Sequence, residues 1–115
     1  MRQQLIDAIH FAVMNMGRFF TSHNVIDFIL SRPTLRITYD DELVNSGSRL
    51  RIRDKKHAEH YVNTQIGTYL RRNTKRLNIR FVGYVESTNI HETGPNEIGY
   101  YQRLDTNIVK RQRTK

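Results

Sequence analysis

The stretch His57 to Arg72, HAEHYVNTQIGTYLRR, buries its apolar residues together only if it is helical. At 100° per residue, Ala58, Val62, Ile66 and Tyr69 fall on one arc, with Leu70 at its edge. His60, Asn63, Thr64, Gly67, Thr68 and Arg71 lie on or near the other. The first arc is a face to bury against a core. The second offers hydrogen-bonding side chains and one fixed charge, where an ordinary solvated face would carry more Glu and Lys. Small polar residues with one Arg suit a surface that approaches and reads base edges. The plainer reading is a core helix with an unremarkable polar side.

What surrounds this helix bears on the choice. The 115 residues make one domain with a modest core. The net charge of +8 calls for an anionic partner, a nucleic acid or a membrane surface. Without cysteine, disulfides and thiolate metal sites are excluded, and a reducing cytoplasm is the expected location. No apolar run approaches the roughly 20 residues of a membrane span. Asp7 and His10 interrupt the N-terminal apolar run, so no signal peptide is expected.

Residues 2–16 read as a first helix, with Leu5, Ile9, Ala12, Val13 and Met16 at helical spacing and Gly17 as a left-handed stop. Arg18-Phe19-Phe20 suits a brief extended segment. Thr21 or Ser22 then caps a second helix; with Thr21 as cap, Phe20 and Val25 take the positions of a hydrophobic staple. Pro33 ends that helix, because it disfavours helical geometry at Arg32. Residues 34–53 form an insert. Thr34 to Tyr39 and Ser48 to Arg53 each alternate apolar and polar, with turn formers and the acids Asp40, Asp41 and Glu42 between them. The alternation predicts an inserted hairpin with Leu35, Ile37, Leu50 and Ile52 inward and Arg36, Arg49, Arg51 and Arg53 outward. A mobile surface loop is the other reading, with the acids as solubilising residues. Asp54 caps the central helix and Asn73 is a left-handed stop for it. Asn78 to Ser87 and Glu97 to Leu104 read as the strands of a long-tipped hairpin. Residues 105–115 read as a flexible basic tail.

The order is helix, short strand, helix, insert, helix, long hairpin. Together with Arg18-Phe19-Phe20-Thr21-Ser22 leading into the second helix, and Val62 to Arg72 running directly into the hairpin, it resembles a winged helix-turn-helix domain. The resemblance implies an α+β fold of three helices with a C-terminal β-hairpin wing, occupying residues 1–104, with the insert between the second and third helices. It further implies that His57 to Arg72 is the recognition helix in a major groove of double-stranded DNA, and that Thr88 to Asn96 is the wing tip. The insert departs from the family, which joins those two helices by a short turn.

Basic residues bracket the central helix. Arg49, Arg51, Arg53, Lys55 and Lys56 stand at one end, and Arg71, Arg72, Lys75, Arg76 and Arg80 at the other; Lys110, Arg111, Arg113 and Lys115 follow in the tail. A helix lying in a groove meets phosphates at both its ends, so all of these except Arg71 are phosphate-contact candidates. Base contacts fall to His60, Asn63, Thr64, Gly67, Thr68 and Arg71. Gly67 weakens a helix by about 1 kcal/mol relative to Ala. Either a close approach by the nucleic acid or a tight helix–helix contact explains it. Asn63 and Arg71 face away from the expected core, so truncating either is expected to leave stability nearly unchanged.

The chain is therefore read as a sequence-specific double-stranded DNA binder, a small transcriptional regulator; a homodimer stays open. Two other classes compete. The polar helix face could meet another protein, although such interfaces centre on large apolar anchors. Alternatively Tyr84, Tyr100 and Tyr101 could stack on unpaired RNA bases. His57 and His60 lack an evident third ligand, His91 lying on the wing tip, so no metal is expected. No nucleophile constellation, phosphate loop or dinucleotide fingerprint is visible, so neither enzyme activity nor a cofactor is expected.

Overall fold

A computed structural model of the chain describes residues 1–86 and 97–104. The elements run α1 (Gln3–Met14), β1 (Phe19–Thr21), α2 (Ser22–Ser31), α3 (Pro33–Leu50), α4 (Lys55–Arg72), α5 (Thr74–Leu77), β2 (Ile79–Glu86) and β3 (Glu97–Arg103). The fold is α+β, mostly helical, with a small antiparallel sheet in the order β1-β3-β2. The expected wing tip, Thr88 to Asn96 with His91, and the tail cations Lys110, Arg111, Arg113 and Lys115 lie outside the described residues. Among the described residues no helix is long and apolar enough to cross a membrane.

Local signals account for most element ends. Thr21 caps α2 in a reciprocal capping box with Asn24, and Phe20 and Val25 are both buried at the staple positions. Asp54 accepts from the Lys56 amide at the start of α4, 3.1 Å away. Two expected stops are corrected. The first helix ends at Met14, before Gly17, where the Asn15 side chain donates to the Phe11 carbonyl. Asn73 is not left-handed but takes φ −123°, and its side-chain amide donates to the Tyr69 carbonyl; Asn78, at φ 57°, is the left-handed residue that closes α5.

The larger correction concerns residues 34–53, which are neither hairpin nor loop. Pro33 holds Arg32 extended, at φ −112° and ψ 118°, and itself occupies the first turn of α3, where its missing N–H costs nothing. The third helix thus begins where the second stops. It ends in a pair of bonds, Ile52 amide to Gly47 carbonyl and Arg51 amide to Ser48 carbonyl, with Arg51 left-handed at φ 59°. Leu35, Tyr39 and Leu43 follow one another at four-residue spacing toward the core, and Glu42 and Ser46 complete the buried face. Polar residues at those two positions hid the helical period. Ile37, expected inward, is 59% exposed, and Leu50 is exposed as well.

Glu42 is not a solubilising acid. It is buried, accepts from the Arg2 amide at 3.1 Å and from the Ser46 hydroxyl at 3.2 Å, and so serves the otherwise uncapped start of α1 from a different helix. Around it, α1, α2, α3 and α4 enclose a core that includes Leu5, Ile9, Ile26, Ile29, Val62, Ile66 and Leu70. The sheet closes the core's edge, where Phe20 of β1 stacks on its cross-strand partner Tyr101.

Candidate nucleic-acid interface

The fourth helix presents Ala58, Val62, Ile66 and Leu70 to the core, so its polar arc must face outward. It does not face open solvent. His60, Asn63, Thr64, Gly67, Thr68 and Arg71 all line one open groove of about 600 Å³, and Arg72 joins them at its end. The other wall is the hairpin, through Tyr84, Ile98, Gly99 and Tyr101, and the N-terminus of α2 contributes Ser22 and His23. Among the described residues no Asp or Glu lines the groove.

Sequence reasoning missed this second wall. Ser22 and His23 reach it only because β1 pairs with β3, which sets the start of α2 beside the hairpin. Gly99, a glycine inside a strand, is a local sign of a close approach. Of the three tyrosines offered for base stacking, Tyr101 is buried and Tyr100 stacks on Phe19, which leaves Tyr84 with an exposed ring.

Two base-contact candidates are engaged within the protein. The Arg71 guanidinium lies 3.9 Å above the Phe81 ring and donates to the Tyr84 hydroxyl. Phe81 and Tyr84 stand three apart on one strand, yet both meet Arg71, because the pairing slips between Phe81 and Gly83 and leaves Val82 as an extra residue. The other engaged residue is Asn63, whose side-chain carbonyl accepts from the Tyr39 hydroxyl at 2.7 Å. Burial pushes the Tyr39 phenol well above its ordinary range, and the nearby Glu59 and Asp40 charges add to the rise. The hydroxyl therefore remains a donor that needs Asn63. This overturns the expectation that Asn63 is neutral for stability. Asn63→Ala should cost about 1–3 kcal/mol by leaving a buried hydroxyl unpaired, and Tyr39→Phe added to it should restore part of the loss. Urea denaturation of the two single variants and the double variant measures this; an unchanged midpoint for Asn63→Ala would remove the bond from the account.

Gly67 is now partly explained. Among the described residues a Cβ built there meets nothing within 4 Å, so no helix–helix contact demands glycine. The open side of Gly67 is the groove itself.

Two of the three basic clusters lie among the described residues. Arg49, Arg51, Arg53, Lys55 and Lys56 are exposed around the start of α4; Arg72, Lys75, Arg76 and Arg80 are exposed around its end, where Arg80 also donates to Gln102 across the strands. The 18 residues of α4 span about 27 Å between the two clusters. His57 lies 3.0 Å from the Asp54 carboxylate, and among the described residues no three His, Asp or Glu side chains converge on a metal-sized site. Compared with family models, with curated proteins and with solved structures, the chain matches none.

Proposed function

We propose that the protein binds double-stranded DNA in a sequence-specific manner as a small regulator of transcription, with α4 in the major groove and the hairpin beside it. The observation that carries this reading is the groove. The whole polar arc of α4 lines it, no acid among the described residues does, and exposed cations stand at both ends of the helix. A groove between helix and hairpin offers room for one phosphodiester strand, while the exposed His60 and Thr64 remain for base edges. The winged helix-turn-helix likeness supports the same reading: helix, strand and helix precede α4, and the hairpin's return strand lies in the middle of the sheet. Within that likeness α3 is an added helix that buttresses α4. A cytoplasmic location accords with this role and with the lack of cysteine.

Selection from a random duplex library tests the proposal. A defined motif should emerge, and His60→Ala or Thr64→Ala should relax it at particular positions. Enriched duplexes that bind no better than the starting pool would leave only charge-driven retention and defeat the sequence-specific reading.

A further inference from the structure

Tyr101 is fully buried, and its hydroxyl is the buried side-chain polar atom that finds no hydrogen-bond partner among the described residues. A phenylalanine would stack on Phe20 and meet Phe81 equally well without burying an unpaired hydroxyl. Arg71 and Tyr84 line the groove with Tyr101, and all three side chains meet the Phe81 ring. Arg71 donates to the Tyr84 oxygen, which leaves the Tyr84 proton and the other guanidinium N–H groups to donate elsewhere. Three donors thus gather in a groove that no carboxylate among the described residues lines.

We propose that Tyr101, Tyr84 and Arg71 together seat one backbone phosphate of bound DNA, a role that rests on the duplex-binding reading above. A phosphate oxygen only accepts, so it satisfies all three donors at once, and the charged guanidinium strengthens the set. Stacking on Phe81 holds Arg71 in place before the ligand arrives. Burial pushes the Tyr101 phenol up to about 12, so it carries its proton throughout the neutral range. The Tyr101 hydroxyl is covered, so seating the phosphate requires the 57% exposed Tyr84 ring to shift while its hydroxyl stays on the anion.

Tyr101→Phe, Tyr84→Phe and the unsubstituted protein are compared on a duplex from the selection, and on versions carrying one neutral methylphosphonate at a time. Each variant should bind about tenfold more weakly, the loss of a hydrogen bond to a charged group. The salt slope should not change, because no charge is removed. Tyr101→Phe should melt no lower than the unsubstituted protein, and Tyr84→Phe, at an exposed position, guards against a folding defect. One methylphosphonate position should weaken the unsubstituted protein and leave Tyr101→Phe unaffected. Equal affinities, or identical methylphosphonate profiles, would overturn the phosphate seat while leaving duplex binding intact. If the unsubstituted protein binds no duplex at all, the duplex reading fails instead, and the seat is decided with inorganic phosphate. Side-chain chemical shifts at Arg71 and Tyr84 that respond to phosphate, and cease to respond in Tyr101→Phe, would keep it as an anion site; no response would overturn it.

Discussion

Gly67→Ala should raise the melting temperature and weaken DNA binding, whereas Gly99→Ala should lower the melting temperature. At Gly67 the new methyl meets nothing within 4 Å among the described residues, so the helix gains its ordinary preference for Ala, about 1 kcal/mol or about 4–8 °C. The methyl projects into the groove, so any strand lying against α4 there is pushed away; a tenfold loss of affinity corresponds to about 1.4 kcal/mol. At Gly99 the added Cβ would stand 2.6 Å from the Tyr101 hydroxyl and 2.7 Å from its ring. That ring is fully buried between Phe20 and Phe81 and cannot simply swing aside, so the expected cost is about 1–3 kcal/mol. Removing the hydroxyl with Tyr101→Phe should return part of it. Calorimetry on the variants, paired with anisotropy on a selected duplex, separates the two glycines. A Gly67→Ala protein that gains stability and keeps full affinity would place the DNA elsewhere.

Duplex affinity should fall by about a thousandfold between 50 and 200 mM salt, if about six of the cations flanking α4 meet phosphates. Each contact contributes about −0.9 to the slope of log K against log salt, so Arg49→Ala and Arg72→Ala should each flatten it by about one. Arg36 provides the contrast. It lies 3.8 Å from Asp40 in an exposed pair on α3, which already neutralises it, and Arg36→Ala should leave the slope nearly unchanged. A flat salt response would remove phosphate contact from the account of this surface. A slope that Arg36→Ala reduces as much as Arg72→Ala does would spread the contacts over the whole surface instead of the ends of α4.

Each reading that stood up rested on residues close together in the chain. The two faces of α4 follow from 3.6-residue spacing, the α2 cap from Thr21 and Asn24, and the strands of the hairpin from alternation that survives as buried Ile79 and exposed Arg80. Such signals are local because helix caps and amphipathic periods act over a few residues. The third helix escaped because six residues of alternation at Thr34 to Tyr39 fit a strand and a helix alike. Its buried stripe runs on through Glu42 and Ser46, which look solvated until α1 is packed over them.

The sequence by itself determined which side of α4 is apolar and where positive charge collects. Only the tertiary structure decided what the polar side faces. Pairing of β1 with β3 carries the start of α2 to the groove, and the slip at Val82 turns Tyr84 to the same guanidinium that Phe81 supports. The same distinction separates the side chains. Asn63 and Arg71 share an arc with Thr64 and Thr68, yet one is committed to a buried phenol and the other to the hairpin. Spacing along one helix specifies a direction in space. Which donor or acceptor waits in that direction depends on partners 13 or 24 residues away, brought there by the burial of the opposite face.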